Sequence, residues 1–386
     1  MEIKLLNKIS PVINNELDAE KYTFSETAET PDAIMVRSAA MHDLTFPKSV
    51  KAIARCGAGV NNIPVDRCAE EGIVVFNTPG ANANSVKELA IGALLLASRN
   101  IVGGIAWSNT LEGNELGVAK AVEKGKGKFG GCEIQGKTLG VIGLGAIGGM
   151  VANAAIDLGM KVIGYDPFIT VKAAWNLSRS ITAAASYEEV FKKADYITLH
   201  VPATKDTKNM INAESLATMK DGVKIINLSR ADLVCAADLK DAIAAGKVGC
   251  YVTDFPTEET INVDKIVAIP HLGASTEEAE DNCAIMAARQ LDDYLTNGNI
   301  VNSVNFPSVT MERTGLARIV ILHKNIPNML ASISTALSAT GLNIENMANR
   351  SKGEYACTLV DVNEAVPASA IDTIAAVSGI ARVFVV

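Results

Sequence analysis

The chain has 386 residues, with 35 Lys and Arg against 43 Asp and Glu, so its formal net charge is −8. This length predicts two or three domains, and a composition of 48% hydrophobic and 20% charged residues is typical of globular proteins. The acidic balance argues against a nucleic-acid surface, and the longest apolar stretch, near 89–97, is about half of the ~20 residues a membrane span needs. The first residues also lack the pattern of a signal peptide, so we expect a cytoplasmic enzyme or ligand-binding protein.

Cysteine and histidine spacing gives no sign of a metal site. The seven cysteines are irregularly spaced without a Cys-x-x-Cys pair, which favours free thiols in a reducing compartment. None of the four histidines is spaced like a zinc pair on one helix. We therefore expect neither a disulfide framework nor a metal.

In chain order, short β-branched runs alternate with helical patterns, which predicts an α/β fold with parallel strands. Early strands are predicted at 33–36, 51–55 and 73–77. Ser85 and Glu88 form a Ser-x-x-Glu pattern that predicts a helix start. The Gly-, Lys- and Glu-rich tract 112–131 is predicted to be a surface insertion between two domains.

A denser alternation begins at Lys137. Strands are predicted at 138–142, 161–165, 196–200, 223–228, 249–253 and 266–269. A second Ser-x-x-Glu pair, Ser275 with Glu278, predicts the start of a long helix that ends near 297. The polar segment 302–315, which contains Pro307, is predicted to be a linker.

The last seventy residues follow a different plan. Strands are predicted at 317–323, 342–350, 355–362 and 380–386, and helices at 327–340 and 368–377. The resulting order, βαββαβ, is typical of a ferredoxin-like module.

The clearest chemical motif is Gly143-x-Gly145-x-x-Gly148, between a predicted strand and a predicted helix. In such a motif the glycines allow a tight turn, close approach to a pyrophosphate and close helix packing. The helix N-terminus offers free N–H groups to the phosphates. Asp166 lies 18 positions after Gly148, near the spacing expected for a carboxylate that binds ribose hydroxyls. The pattern therefore predicts a site for NAD rather than NADP.

Several longer segments resemble the D-isomer-specific 2-hydroxyacid dehydrogenases along nearly all of residues 1–305. These segments are RCGAGVNN, VVFNTPGANANSVKEL, GKTLGVIGLGAIG, GYDPF, LHVP, INLSRADLV, DFPTEE and PHLGAST. The C-terminal module resembles an ACT domain, and together the two narrow the resemblance to ACT-bearing phosphoglycerate dehydrogenases. It implies two Rossmann-like doubly wound lobes and a ferredoxin-like ACT domain. The implied domains are a discontinuous substrate-binding domain (1–98 and 275–305), an NAD-binding Rossmann domain (99–274) and a regulatory domain (316–386).

The resemblance implies three catalytic residues. His271 matches the acid/base, Glu258 the carboxylate that orients this imidazole, and Arg230 the guanidinium that binds the substrate carboxylate. The chain departs from the family in Asp-Phe-Pro-Thr-Glu-Glu, where either the segment between the family's Asp and Glu is one residue shorter or the Asp is shifted. Asp254 is therefore an uncertain match in register, and either Glu258 or Glu259 could face the histidine.

The remaining implied contacts fall into three sets. Cofactor contacts are implied at Gly143, Gly145, Ala146, Ile147, Gly148, Asp166, His200 and Asp254. Substrate contacts are implied at Arg37, Ser38, Arg55, Gly59, Val60 and Asn82. An effector site for L-serine is implied at His323, Asn325 and Asn343, in a homo-oligomer (a dimer or tetramer).

The implied reaction is the NAD-dependent oxidation of 3-phospho-D-glycerate to 3-phosphohydroxypyruvate, which begins L-serine biosynthesis. The alternatives are another D-2-hydroxyacid dehydrogenase, such as a hydroxypyruvate/glyoxylate reductase, or a non-enzymatic NAD-sensing co-repressor of the same fold. Because a complete dehydrogenase precedes the C-terminal module, we expect catalysis not to require that module.

Overall fold

The computed structural model describes residues 1–386, which form two compact units. The first unit contains Met1–Asn82 and Glu280–Val386, and the second contains Ala83–Ala279. Each unit contains one parallel sheet, and the first unit also contains a four-stranded antiparallel sheet formed by its C-terminal residues. The predicted α/β fold class is confirmed.

The first unit begins with a five-stranded parallel sheet. Its elements are β1 (Glu2–Leu6), α1 (Ile13–Glu16), β2 (Thr23–Ser25), β3 (Ala33–Val36), β4 (Ala52–Arg55), α2 (Val65–Glu70) and β5 (Val74–Phe76). The strand order is β2-β1-β3-β4-β5. The residues of β3 and β5 are all apolar and all buried, as expected for strands that are covered on both faces. The order reverses between β1 and β3, and such a reversal opens a crevice at the carboxyl ends of the strands.

The second unit is built on a seven-stranded parallel sheet. Its helices are α3 (Ala83–Ser98), α4 (Ile101–Ser108), α5 (Val118–Gly125), α6 (Ala146–Asp157), α7 (Val171–Trp175), α8 (Tyr187–Lys193), α9 (Ala213–Thr218) and α10 (Ala236–Ala244). Its strands are β6 (Thr138–Ile142), β7 (Lys161–Tyr165), β8 (Thr182–Ala183), β9 (Tyr196–Leu199), β10 (Val223–Asn227), β11 (Val248–Thr253) and β12 (Ile266–Ala268). The order β12-β11-β10-β9-β6-β7-β8 reverses between β6 and β9, as in dinucleotide-binding folds.

A long helix, α11 (Glu277–Asn297), precedes the C-terminal module. The module contains β13 (Ala317–Lys324), α12 (Met329–Ala339), β14 (Ile344–Lys352), β15 (Tyr355–Val362), α13 (Ala368–Ala375) and β16 (Ile380–Val385). Its antiparallel sheet has the order β14-β15-β13-β16, and the predicted βαββαβ order is confirmed. One face of the sheet packs on α12 and α13. Val320 and Leu359 on the other face share a core with Phe76 and Tyr294 of the first unit. The module is therefore not a separately packed domain.

Three local expectations differ from the structure. The predicted boundary after residue 98 places α3 with the first lobe, but α3 packs in the core of the second unit, because its apolar face meets α6 and the sheet. Segment 302–315 is not a solvated linker, since Phe306 is fully buried and Asn305 hydrogen-bonds the backbone of β5. Tract 112–131 is mostly exposed, as predicted, but it lies within the second unit and contains α5 and a 3-10 helix, Lys126–Phe129.

No single helix combines the length and apolar composition of a membrane span. The two helical segments Ala83–Ser98 and Ile101–Leu111, which are bent by 71° at the break between them, reach that length and composition only when they are taken together.

Candidate active site

In the second unit, the carboxyl ends of six neighbouring strands lie level with one another. Ile142 pairs with Tyr165 on one side and Leu199 on the other, and the same row continues through Asn227, Thr253 and Ala268. The residues that follow these strand ends therefore share one edge of the sheet. This register gathers the predicted cofactor and catalytic residues of the second unit, which are distant in sequence.

The glycine-rich loop joins β6 to α6 and fits a dinucleotide phosphate. Gly143 has φ +87°, a conformation that L side chains rarely adopt. A Cβ on Gly148 would clash with the carbonyl oxygen of Gly143, whereas a Cβ on Gly145 would meet no atom within 4 Å. No side chain caps the N-terminus of α6 at Gly145, so its first N–H groups are available to an anion.

Asp166 follows β7 and reaches back to this loop. Its Oδ2 accepts a hydrogen bond of 2.9 Å from the N–H of Leu144, and its Oδ1 accepts one of 2.9 Å from Phe168. The half-buried carboxylate is thus held beside the glycine loop, where the motif predicts a ribose-binding group.

His200 follows β9 on the other side of the strand reversal. Its Nε2 lies 2.9 Å from the hydroxyl of Thr198, and its buried Nδ1 has no hydrogen-bond partner. Burial lowers the pKa of this imidazole to about 4, so the ring is neutral at physiological pH. These features suit a structural residue beside the cofactor loop better than a proton carrier.

Arg230, Phe255 and His271 form a row beyond the ends of β10, β11 and β12. The rings of Phe255 and His271 have centroids 4.5 Å apart, and the Arg230 guanidinium carbon lies 5.6 Å from the centroid of the Phe255 ring. Arg230 and His271 are both exposed. The structure thus places a cation and an imidazole next to the same aromatic ring.

Asp254, directly after β11, is the buried carboxylate of this edge. It is 1% exposed, its Oδ2 accepts a 3.3 Å hydrogen bond from the N–H of Gly273, and its Oδ1 has no partner. Burial raises the pKa of Asp254, and the charges of His271 and Arg230 oppose that rise. An unpartnered buried oxygen is costly, so this atom is suited to accept a hydrogen bond from a ligand.

Glu258 and Glu259 are both exposed, and neither makes a hydrogen bond or ion pair with His271. The prediction that one of them orients this imidazole stays a prediction.

In the first unit, two arginines lie side by side at the carboxyl edge of the sheet. Arg55 is the last residue of β4, and Arg37 directly follows β3. The Nε of Arg55 donates a 3.1 Å hydrogen bond to the carbonyl of Arg37. The Arg55 guanidinium lies over Gly57, where any Cβ would clash with it. Asn7, after β1, accepts hydrogen bonds from the N–H groups of Ser38 and Ala39. These residues line the point at which the strand order reverses.

Arg37 makes an ion pair with Glu280 on α11, with Nη1 and Oε1 2.6 Å apart. Gly59, Val60 and Asn82 are half-buried, and the Asn82 side chain makes no hydrogen bond. The glycine-rich loop before them is fixed by a 2.7 Å hydrogen bond from Asn77 to the Ala58 carbonyl.

The predicted effector residues are not equally accessible. His323 is 2% exposed, and its ring nitrogens lie 2.9 Å from the Lys324 carbonyl and the Thr358 hydroxyl. Asn325 donates to the Gly353 carbonyl and Asn343 to Glu345, and both are exposed. Only the two asparagines, and not the imidazole, therefore have side chains at the surface.

Sequence reasoning missed several supporting residues. Phe255 lies inside the motif DFPTEE but received no role, and Asn7 carries no local signal because its partners, Ser38 and Ala39, are distant in sequence. Ser85 was predicted to cap α3, but it lies within the helix and donates a 2.8 Å hydrogen bond to the Gly273 carbonyl. It thereby supports the loop that follows His271.

Comparison with known proteins identifies the family. The family model "D-isomer specific 2-hydroxyacid dehydrogenase, NAD binding domain" matches residues 91–274. Hydroxypyruvate reductase of Thermotoga maritima is 38% identical over 293 residues, which cover 73% of this chain and 90% of the relative. D-3-phosphoglycerate dehydrogenase of Escherichia coli is 32% identical over 337 residues, 84% of this chain and 78% of the relative. The chain belongs to the D-isomer-specific 2-hydroxyacid dehydrogenase family.

Other members of this family are longer than the chain. D-3-phosphoglycerate dehydrogenase of Methanocaldococcus jannaschii is 35% identical over 81% of this chain, but the match covers 59% of that relative. Among solved structures, NAD⁺-bound 3-phosphoglycerate dehydrogenase of Entamoeba histolytica has a TM-score of 0.60 and 28% identity, covering 79% of this chain and 98% of its own. This family assignment also establishes that residues 91–274 are an NAD-binding domain.

Proposed function

We propose that this dehydrogenase oxidises 3-phospho-D-glycerate to 3-phosphohydroxypyruvate with NAD. The observation that carries the proposal is the pair Arg37 and Arg55 at the carboxyl edge of the first sheet, in a chain of this family. Two guanidinium groups suit a substrate that carries both a carboxylate and a phosphate. Relatives with the corresponding name, at 32–36% identity, support the choice.

The residues around the glycine loop fit NAD. Gly143, Gly145, Ala146, Ile147 and Gly148 would hold the pyrophosphate against the free N–H groups of α6. Asp166 would bind the ribose hydroxyls, and its charge would disfavour the 2′-phosphate of NADP. His200 would adjoin the cofactor, and the unpartnered Oδ1 of Asp254 would accept a hydrogen bond from its carboxamide.

Bound NAD would supply the acceptor for the hydride that leaves C2 of the substrate. His271 would take the proton of the C2 hydroxyl, because an exposed imidazole can accept a proton and return it in the reverse reaction. Arg230 would bind the substrate carboxylate and orient it. The Phe255 ring, which contacts both groups, would help to position them. Glu258, or Glu259, would stabilise the protonated imidazole.

The remaining predicted contacts belong to the substrate. Arg37 and Ser38 would hold the phosphate, and the N–H groups of Gly59 and Val60 would meet the carboxylate near Arg55 and Asn82. In this assignment the predicted segments 1–98 and 275–305 form the substrate-binding domain, except for α3, which packs with the NAD-binding domain 99–274, and residues 316–386 form the regulatory domain.

A second candidate is hydroxypyruvate reduction. Two observations favour it: the match to the Thermotoga maritima reductase, which covers 90% of that relative, and the Glu280 carboxylate that already occupies Arg37. An unphosphorylated substrate would not need Arg37.

We further propose that the C-terminal module is an ACT domain that binds L-serine in a homo-oligomer. Its βαββαβ order and the exposed edge strand β14 suit pairing between copies, and Asn325 and Asn343 would contact the amino acid at the surface. The buried His323 would shape that site rather than contact the ligand directly.

Steady-state turnover with 3-phosphoglycerate, hydroxypyruvate and NAD(H) tests the proposal. We expect kcat/KM to favour the phosphorylated substrate, and NAD to be preferred over NADP. His271→Ala should lower kcat by roughly 10²–10⁴-fold, the usual contribution of a positioned proton carrier. NAD affinity, measured by titration, should stay unchanged and serves as the control for folding. Turnover of hydroxypyruvate without turnover of 3-phosphoglycerate would reverse the order of the two candidates.

A further inference from the structure

The Arg37–Glu280 pair has an unusual position for a surface ion pair. Arg37 lies at the strand reversal of the first sheet, where the fold opens its binding crevice. Glu280 lies on α11, more than two hundred residues away in sequence, and its carboxylate contacts Nη1 of Arg37 at 2.6 Å. The two side chains are 36% and 42% exposed, so both remain accessible to a ligand.

The charged groups around this pair lie close to one buried thiol. Arg37, Arg55 and Glu280 all act on the thiol of Cys283, which lies one turn after Glu280 on α11. Burial raises the pKa of Cys283, the two arginines lower it, and Glu280 raises it again. The three charged groups are therefore close enough to act on the same atom, and Glu280 offsets one of the two positive charges.

We propose that Glu280 sets the anion selectivity of the substrate site by competing with the substrate phosphate for Arg37. This proposal rests on the proposed function. A phosphate that binds Arg37 must displace the Glu280 carboxylate from Nη1. An unphosphorylated 2-hydroxy acid needs only the carboxylate-binding groups and does not meet this competition. The carboxylate thus narrows the difference in affinity between the two substrate classes.

The free energy needed to exchange Glu280 for a phosphate is small enough to permit turnover. A half-exposed ion pair contributes little to folding, so its exchange for a phosphate needs no large rearrangement. The loss of this contact is nevertheless sufficient to change the affinity for phosphate several-fold, the scale of an exposed ion pair. Glu280 is accordingly a specificity-determining residue rather than a catalytic one.

The test compares Glu280→Gln with wild type. The amide removes the charge but keeps the size of the side chain. We expect KM for 3-phosphoglycerate to fall by about 2- to 5-fold, the scale of an exposed ion pair that no longer has to be broken. KM for hydroxypyruvate, and kcat for both substrates, should change little. Glu277→Gln is the matched control, because Glu277 begins the same helix, is exposed and makes no ion pair.

A second measurement separates competition from simple repulsion. In an Arg37→Ala background, Glu280→Gln should have a much smaller effect, because no guanidinium remains to be released. An equal gain in both backgrounds, or an unchanged or higher KM in the single variant, would overturn the proposal.

A binding experiment keeps this test independent of the reaction assigned to the protein. Inorganic phosphate titrated into the NAD-loaded protein should bind more tightly to the Glu280→Gln variant than to wild type, by calorimetry. If wild type fails to oxidise 3-phosphoglycerate, the proposed function fails, while this ratio of phosphate affinities still decides the role of Glu280. Equal phosphate affinities would reject it.

Discussion

The C-terminal sheet and the carboxyl edge of the first parallel sheet each contain an arginine paired with a carboxylate, in opposite surroundings. Arg318 and Asp361 are both 0% exposed and make two parallel contacts, from Nε at 2.6 Å and from Nη2 at 2.9 Å. Arg37 and Glu280 make one contact and are over a third exposed.

The difference lies in how completely each guanidinium is satisfied. The remaining N–H groups of Arg318 donate to the carbonyls of Asn297, Met311 and Glu312. These bonds hold the start of the C-terminal sheet against the end of α11. A buried and fully bonded pair has no capacity for a ligand, whereas a pair with one exposed contact can exchange its partner. Burial and the number of hydrogen bonds therefore separate a structural ion pair from one suited to a binding site.

The largest effect should come from breaking the buried pair. Asp361→Asn would leave a buried guanidinium without its counter-charge, so we expect the free energy of unfolding to fall by about 3–5 kcal/mol. Denaturant unfolding measures the loss. Asp372→Asn in the same module is the control, because this exposed residue should change stability by no more than about 0.5 kcal/mol. A loss below about 1 kcal/mol for Asp361→Asn would show that the buried pair is dispensable.

The same variant should change the response to acid. Burial tends to raise the pKa of Asp361, but hydrogen bonds from Arg318 and Thr314 outweigh it and the pKa is lowered. A carboxyl group with a lowered folded pKa stabilises the protein above the unfolded pKa, near 4, and loses that contribution as the pH falls through the folded value. The wild-type advantage over Asp361→Asn should therefore shrink progressively at pH values below about 4.

Removing the exchangeable arginine should act on binding instead of stability. Arg37→Ala should raise KM for 3-phosphoglycerate by about 10- to 100-fold, the value of a charge-assisted hydrogen bond, and change KM for hydroxypyruvate much less. Its free energy of unfolding should change by less than about 1 kcal/mol. Arg289→Ala is the control, since Arg289 is exposed and bonded only to Glu16. Equal losses for both substrates would make Arg37 a structural residue.

The smallest effect should appear in regulation. Asn343 is exposed on the C-terminal module and is bonded only to Glu345, so Asn343→Ala should leave the fold and kcat intact. It should weaken inhibition by L-serine several-fold, within the 5- to 150-fold range of ordinary allosteric coupling. Activity over a serine titration measures this. A flat curve for the wild-type protein would reject serine as the effector, and the left-handed Asn328 before α12 would be the first residue to examine.

The packing of the C-terminal module argues against the expectation that catalysis does not require this module. Val320, Leu322, Cys357 and Leu359 share a core with Phe76 and Tyr294, so a chain ending at Pro307 would expose a large part of that core. Point variants such as Asn343→Ala therefore test regulation more cleanly than truncation does.

Sequence by itself determined the elements whose signal is local. The strands 33–36, 138–142, 161–165 and 355–362 were predicted with the bounds the structure has, because apolar β-branched runs end at clear turn residues. The glycine motif and Asp166 were also predicted locally, since their spacing follows from one β-α-β unit.

Only the tertiary structure decided the features that depend on distant partners. Ser85 has the pattern of a helix cap, but its hydroxyl bonds the Gly273 carbonyl because packing of α3 on the second sheet places it there. Segment 302–315 reads as polar, yet Asn305 satisfies the backbone of β5 and is buried with it. Glu280 meets Arg37 for the same reason. A residue's neighbours in sequence set its backbone, whereas burial and long-range hydrogen bonds, which no local pattern encodes, set what its side chain does.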